Sequence, residues 1–492
     1  MPIFFHFDFT SKQKYIFATN TLKEVVGASS IMDKINEKFK EVFKDETLYS
    51  GGGNGVAIFD SQKRVEEAVK FLNDNCLKVG ISFIYASHEY EKKDNAAYQD
   101  IKKRLAGIKM RGQAPDLDFF MPHGRLCRSC MSRNVSAGGD PDICYVCSAK
   151  NAAGLEAHRD IVEAMNLHKK GGPGKWFLMD LSEIEKFNRE DKLYSLIAVV
   201  KMDGNALGKK LTSFIDKSPD NFMQTGELSQ KIDDASHNAI AQTCLEVFDG
   251  YIKAEKRMPF RPLIVGGDDI AFAISSKYAF EFTRKLSEYF TENTKGIGFD
   301  SPVTISAGIV FTHSSFPIVQ SVELAESLLS NAKKHGLKLN AANPPAMIDF
   351  QVMYGSLNDS IEETRSRECT IIVEKETEKE KIELWQKPYL LYEAGYEVKT
   401  IDSLEKQAKL LGDVIERSKI KKLREIFKYD ENSRSMMLRQ IKSNIKNSKD
   451  IDGRKTFDEC MNWAKENSKA YNCNSSTRRE GALDLVEVFD LI

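Results

Sequence analysis

The stretch Leu263-Ile-Val-Gly-Gly-Asp-Asp-Ile-Ala-Phe-Ala-Ile274 decides how the rest of the chain is read. Two short apolar runs flank Gly266, Gly267, Asp268 and Asp269. They read as the strands of a hairpin with those four residues at its tip, because glycine tolerates the positive φ of a tight turn and leaves room for a ligand. Neighbouring carboxylates ~4 Å apart repel by ~4 kcal/mol at an effective dielectric of ~20. A divalent ion would turn that repulsion into a binding site, and oxygen-only ligands favour Mg²⁺ or Mn²⁺ over zinc. Taken alone, the stretch also suits an ordinary Gly-Asp turn exposed to water.

The elements around this hairpin occur twice in the same order. Ile3 to Phe9 alternates Phe5, Phe7 and Phe9 with His6 and Asp8 and is predicted as a strand. Ser11 to about Phe43 is helical in character with a break at Gly27, Leu48 to Phe59 is a hairpin, Arg64 to Leu77 a helix and Val79 to Ser87 a strand. The second round runs through a strand from Leu196 to Asp203, a helix from about Glu227 to Lys256, the hairpin at 263–274, a helix from Tyr278 to Glu292 and a strand from Val303 to Phe311. Placing Leu48 on Leu263 sets Gly51 and Gly52 on Gly266 and Gly267, and Gly53 and Asn54 on Asp268 and Asp269. An α+β chain with two ferredoxin-like βαββαβ units is therefore expected, the first having lost both hairpin carboxylates. Asp8 stands opposite Asp203 but alone reads as a solvated strand end. The first unit is expected to bind or scaffold.

At 492 residues the chain is too long for one core. A formal net charge of −1 argues against a strongly electrostatic nucleic-acid binder as a whole. No apolar run approaches the ~20 residues of a membrane span. The start, Met1-Pro-Ile-Phe-Phe-His-Phe-Asp8, lacks a basic n-region and a cleavage site, so a cytoplasmic protein with no membrane partner is expected.

The nine cysteines are odd in number and suit a reducing compartment with a metal site. Cys127-Arg-Ser-Cys130 and Cys144-Tyr-Val-Cys147, thirteen residues apart, have the spacing of a tetrahedral thiolate site for Zn²⁺. Such a zinc knuckle is structural, since four thiolates leave no open coordination position; two disulfides or a catalytic site are the alternatives. Cys76, Cys244, Cys369, Cys460 and Cys473 read as simply buried. Glu323 to Lys334 reads as a helix with Leu324, Leu328 and Leu329 inward, Glu374 to Lys381 as an exposed charged loop, and roughly the last 90 residues as helical. From Arg417 to Lys455 there are 13 Lys plus Arg against 5 Asp plus Glu, which marks either a solvated helical face or an RNA or partner surface.

In a βαββαβ sheet the first strand lies beside the hairpin, which brings Asp203 against Asp268 and Asp269. Three converging carboxylates suit two divalent ions that activate a ribose hydroxyl and neutralise a triphosphate during in-line displacement at the α-phosphate. That chemistry is nucleotidyl transfer. Gly204, Asn205 and Gly208 form a small-residue turn whose amides are expected to cradle the triphosphate. Lys333 or Lys334 is placed to reach the same phosphates, unless it is a surface lysine. Ser306-Ala-Gly308 is expected to leave room for a base. No side chain reads as the general base.

The segments Val199-Val-Lys-Met-Asp-Gly-Asn205, Gly266-Gly-Asp-Asp269, Ser306-Ala-Gly-Ile309, Ala325-Glu-Ser-Leu-Leu-Ser-Asn-Ala-Lys333 and Ile348-Asp-Phe350 resemble the second palm domain of the large subunit of type III CRISPR effector complexes. Tyr15-Ile-Phe-Ala-Thr-Asn20, Leu22-Lys-Glu-Val-Val-Gly-Ala-Ser29 and the Gly-rich hairpin resemble that family's first, degenerate palm. The cysteine knuckle lies between the palms as in the family, and Gln386-Lys-Pro-Tyr389 resembles the entry to its helical last domain. The resemblance implies a synthetase that joins ATP into cyclic oligoadenylates for a downstream defence effector. It also implies Mg²⁺ or Mn²⁺ on Asp203, Asp268 and Asp269, Ser306 facing the base, Lys333 on phosphate, and guide and target RNA and effector subunits as partners. Family members commonly carry an N-terminal HD nuclease domain. Here the palm begins at residue 3 and the chain has no His-Asp dipeptide, so DNA cleavage is not expected and the chain reads as a compact form, in a complex or as a homo-oligomer.

The expected domains are a first palm at 1–110, a zinc-knuckle and helical linker at 111–190, a second palm at 191–350 and a mainly helical C-terminal domain at 351–492. A GGDEF-type cyclic dinucleotide synthase shares the Gly-Gly-acid-acid hairpin, but the duplicated palm and the knuckle argue against it. A non-catalytic RNA- or nucleotide-binding scaffold has no need of three converging charges.

Overall fold

The computed structural model describes residues 1–112, 123–136, 140–190, 196–218, 221–353, 360–374, 379–445, 452–466, 477–489 and 491. Strands β1 (Ile3–Phe9), β2 (Thr47–Gly51), β3 (Asn54–Phe59) and β4 (Phe83–Glu89) form an antiparallel sheet in the order β2-β3-β1-β4, the ferredoxin-like order expected from the sequence. Every residue of β1 is buried. Its Phe5, Phe7 and Phe9 pack on the helices Leu22–Val42 and Gln62–Cys76, while Phe4 on the opposite face packs against Tyr98 and Ile101 of the helix Asn95–Met110. That last helix was not anticipated, and it changes the reading of Asp8. Instead of a solvated strand end, Asp8 is a buried carboxylate held by Lys12 at 2.8 Å and by Lys109 at 2.8 Å. Both ammonium groups hold its pKa below the ordinary value against the opposing effect of burial.

The expected break at Gly27 is absent. A short helix Lys12–Ile16 stops before residue 17, and the helix Leu22–Val42 then runs unbroken through Gly27. A Cβ on Gly27 would lie 1.8 Å from the Lys150 carbonyl oxygen, and one on Gly154 would lie 2.1 Å from that of Lys23. The two glycines let the helix Leu22–Val42 and the helix Tyr145–Glu156 cross in backbone contact. Glycine here serves close packing rather than helix termination.

Further strands are β5 (Leu196–Gly204), β6 (Phe260–Gly266), β7 (Asp269–Ser275), β8 (Ile305–His313), β9 (Met347–Val352), β10 (Thr370–Glu374), β11 (Lys379–Glu383), β12 (Tyr389–Leu390) and β13 (Thr477–Arg479). The second sheet has the order β12-β9-β8-β5-β7-β6, so β8-β5-β7-β6 repeats the order of the first unit. On β5, Ala198, Val200 and Met202 face the helices Thr225–Val247 and Ala279–Asn293, while Ile197 and Val199 join the core cluster of the first unit. The helix Ile318–Leu339 covers this second face, with Ile318 and Val322 in the same cluster. It follows the fourth strand of its unit, as Asn95–Met110 does, and its Lys333 stands to Asp203 as Lys109 stands to Asp8.

The charged segment expected as a loop at Glu374 to Lys381 contributes to a hairpin instead. Strands β10 and β11 pair antiparallel, with β13 parallel to β11, while residues 375–378 lie outside the described residues. Charges along β11 are paired: Lys381 donates to Glu383, two residues along the same strand, at 3.0 Å, and Arg479 Nε of β13 donates to the same carboxylate at 2.6 Å. The C-terminal region is otherwise built of helices from Ile401–Val414 to Ala482–Phe489. Strand β12 belongs to the second sheet, and its first residue and the residues before it seal that sheet to the last helix. Lys387 lies 2.6 Å from Glu487, and the Tyr389 hydroxyl donates to Asp484 at 2.7 Å. Cys76, Cys244, Cys369 and Cys460 are buried as expected; Cys473 lies outside the described residues.

Candidate functional site

The hairpin register aligns the two units as the sequences do. Gly266 pairs with Asp269 across the second turn and Gly51 with Asn54 across the first, so Gly53 and Asn54 stand where Asp268 and Asp269 stand. The first turn has positive φ at both central residues, Gly52 (58°) and Gly53 (75°), whereas in the second only Gly267 does (61°). Asp268 therefore occupies a backbone position that accepts a side chain.

Met202 pairs with Ile270, which sets Asp203, one residue further along β5, beside the hairpin tip. Asp268 packs against Gly204, where a Cβ would come within 2.6 Å of Asp268 Oδ2, so glycine makes the approach possible. Burial, and then contact with Asp203, push the Asp268 pKa up to about 7. Lys333 reaches Asp203 and donates to the Gly204 carbonyl at 2.8 Å, while Lys334 is exposed. Lys201 reaches Asp269, and its side chain is only 7% exposed. The sequence reading missed Lys201 as a site residue. Its signal was the period of two along a strand, which puts Lys201 and Asp203 on one face of β5. Glu326, exposed and two helical turns before Lys333, faces the same group, and partial desolvation raises its pKa.

Several expected contacts take another form. Asn205 is buried; its side chain donates to Thr304 Oγ1 at 2.9 Å and its N–H to the Thr304 carbonyl at 2.8 Å. Ser306 is fully buried, donating to Asn205 Oδ1 at 3.0 Å and accepting from the Met347 N–H at 3.1 Å. With their hydrogen bonds spent inside the protein, these two residues bracket the end of β5 against β8 and β9; they present no free group to a triphosphate or a base. The gap expected at Gly308 is filled by the helix Ile318–Leu339, since a Cβ there would lie 2.1 Å from the Ala325 carbonyl oxygen. Gly208 is exposed on the first turn of the helix Leu207–Asp216. Gly266 has open space at its Cβ position, and it lines the main cavity together with Lys201 and Asp269.

That cavity, about 1120 Å³, lies between the two units. Its first wall carries Lys12, Lys14 and Gly52, its second Lys201, Asp269 and Glu326, and Cys130, Ser132 and Arg133 of the knuckle close one side. The Sγ atoms of Cys127, Cys130, Cys144 and Cys147 lie within 4.8 Å of one another, and no other group of three or more potential ligands among the described residues is gathered so closely. Four thiols from two Cys-x2-Cys turns fit zinc. The knuckle is fastened to the first unit through buried Glu24, which accepts from Ser129 and, at 3.0 Å, from Asn151. The three aspartates are less tightly grouped, two of them drawn to lysines, but their donors are all oxygen and fit Mg²⁺ or Mn²⁺.

Residues 196–342 match the family model for the second palm domain of Cas10/Cmr2. No curated protein matches the chain. Among solved structures, the chain is similar to the apo Csm1-Csm4 cassette (TM-score 0.45, 16% identity, 68% of this chain and 53% of that chain). It is also similar to that cassette in complex with cA3 (TM-score 0.51, 15% identity, 99% of this chain and 69% of that chain). A third likeness is to the cassette in complex with one ATP (TM-score 0.48, 14% identity, 100% of this chain and 70% of that chain). The chain spans about half the length, 53%, of the first of these. At this identity the likeness with the cA3 complex speaks to the fold alone, over nearly the whole chain.

Proposed function

With a second palm domain of the Cas10/Cmr2 type at residues 196–342, we propose that the chain is a metal-dependent nucleotidyl cyclase that makes cyclic oligoadenylates from ATP in a type III CRISPR-like defence system. The observation that carries this reading is the meeting of Asp203, Asp268 and Asp269 beside a cavity shared by two palm units. A volume of about 1120 Å³ exceeds the ~300–1,000 Å³ of a usual small-ligand pocket and leaves space for more than one nucleotide.

Mg²⁺ or Mn²⁺ held by the three aspartates would lower the pKa of a ribose hydroxyl and offset triphosphate charge. The chain's own groups do the rest. The ribose hydroxyl gives up its proton to solvent, its oxygen bonds to the α-phosphorus of a neighbouring ATP, the bond to pyrophosphate breaks, and pyrophosphate leaves with the electron pair. Two ammonium groups, Lys201 beside Asp269 and Lys333 beside Asp203, would offset the charge that builds on the departing phosphates. Gly266, bare toward the cavity, lets substrate approach the backbone. In the first unit Lys12 and Lys109 take the place of a metal on Asp8, which supports a binding role for that unit. Effector subunits and guide and target RNA are the proposed partners. The fold likeness to a Csm1-Csm4 cassette supports a partner subunit.

The test is mass spectrometry of products from the purified chain with each NTP and Mg²⁺ or Mn²⁺, with and without a guide–target RNA complex. Cyclic oligoadenylate is expected. Asp268→Ala and Asp269→Ala should each lower it by at least ~100-fold, because the metal's contribution is several kcal/mol and ~1.4 kcal/mol is tenfold in rate. Unchanged turnover in Asp268→Ala would sink the site assignment, and a cyclic dinucleotide as sole product would replace the activity.

A further inference from the structure

The tip of the Gly266–Asp269 turn is gripped by one helix. In Thr225–Val247, Asp233 Oδ1 accepts the Gly267 N–H at 2.8 Å. Three residues on, fully buried Ser236 donates its hydroxyl to the Gly267 carbonyl. The i, i+3 spacing sets both side chains on one helix face. At the first central position of a two-residue turn the N–H and C=O have no cross-strand partner, so the hairpin does not need these bonds to close. They fix the tip relative to the helix instead. Asp268 and Asp269 follow Gly267 directly, so their direction depends on where that tip is held.

Asp233 is itself held. His237, one turn further along, has Nδ1 at 2.9 Å from the Asp233 carbonyl oxygen and 3.7 Å from its Oδ2, and Nε2 at 2.5 Å from Asp160 Oδ2 on the helix Arg159–Ala164. The line Asp160, His237, Asp233, Gly267 thus ties the turn to the linker between the palms. Asp33 of the helix Leu22–Val42 feels the charges of both Asp233 and His237, so the first unit adjoins the same line.

We infer that Asp233 and Ser236 are positioning residues for the carboxylate site: they fix Gly267 so that Asp268 and Asp269 meet Asp203 in metal-binding geometry. The inference rests on the metal-site reading above. None of these residues stood out in the sequence, because polar residues on a helix usually mark its solvated face.

The test is Mn²⁺ titration of the full chain, by calorimetry or by the loss of free-ion paramagnetic resonance, for the wild type, Asp268→Ala, Asp233→Ala, Asp233→Asn and Ser236→Ala. Losing a group that orients metal ligands costs ~10–100-fold in metal affinity, and that fall is expected for Asp233→Ala. Asp233→Asn keeps a side-chain oxygen for the Gly267 N–H and should restore affinity to within a few fold, which a loss of general stability would not do. Ser236→Ala removes a single hydroxyl and should weaken Mn²⁺ binding in the same direction; it carries the test if Asp233→Ala does not fold. Wild-type affinity in folded Asp233→Ala, or in Ser236→Ala where that variant stands in, overturns the inference alone. Mn²⁺ binding by the wild type that survives Asp268→Ala overturns the metal-site reading, and this inference with it.

Discussion

His237 shows how a single residue carries a pH-dependent share of stability. Burial opposes its charge, yet Asp160 and Asp233 more than reverse that and lift its pKa from 6.5 to about 9. Neighbouring His158, buried beside Arg261, is held down at about 3 and stays neutral. A histidine whose folded pKa lies above its unfolded value adds stability that is complete below 6.5 and is lost as pH rises through about 9. Asp160 has the opposite sign. Lowered from 3.8 to about 2, it adds stability that is present above 3.8 and lost as pH falls through about 2. The melting-temperature gap between wild type and His237→Ala should therefore be widest between pH 3.8 and 6.5 and close above about 9. With 54% of the Asp160 side chain exposed, water screens the pair and the gap should be a few degrees at most. A gap that widens with alkali would contradict the assignment. At this scale the sequence was legible where chemistry clusters, as with Asp268 and Asp269, and opaque for Asn205 and Ser306, whose types suit a ligand or an internal bracket equally well.

Between elements, the crossing of Leu22–Val42 with Tyr145–Glu156 is the most constrained contact. A methyl group on Gly27 would meet backbone atoms of Lys150 and Gly154, and backbone cannot swing aside as a flexible side chain can. Gly27→Ala should destabilise by at least ~1–3 kcal/mol, the usual range for overpacking, read as a lower urea midpoint. Gly107, inside the helix Asn95–Met110 with nothing near its Cβ position, should respond oppositely: Gly107→Ala is expected to raise stability by ~0.4–1 kcal/mol. Equal responses at the two sites would refute the packing account. The sequence read Gly27 as a break because a helical glycine signals poor propensity, and propensity says nothing about a neighbour 123 positions away, at Lys150. The charged run around Lys379 and Lys381 misled in the same manner, since β13, a strand that pairs with it, lies far along the chain.

The whole molecule is organised by two palms that share a core, with the cysteine knuckle closing one side of the cavity between them. Cys127→Ser or Cys144→Ser should remove zinc, measured by atomic absorption, and lower the melting temperature together, because the energy of binding a structural metal is energy of folding. Cys130, Ser132 and Arg133 line the cavity, so nucleotide affinity should fall as well. A zinc-free variant with wild-type stability would show that the knuckle is no metal site.

The sequence by itself determined the two βαββαβ units, the alignment of their hairpins, the four-cysteine cluster and the presence of carboxylates at the second tip. All of these rest on local patterns, strand alternation, turn chemistry and short spacings, that survive without knowledge of neighbours. Tertiary structure decided which charges meet. Lys109 and Lys12 close on Asp8, Lys333 and Lys201 flank Asp203 and Asp269, and Asp233 holds Gly267. Such pairings depend on which face of a helix lands on which face of a sheet, and a long polar side chain carries no mark of its partner until packing has brought the two together.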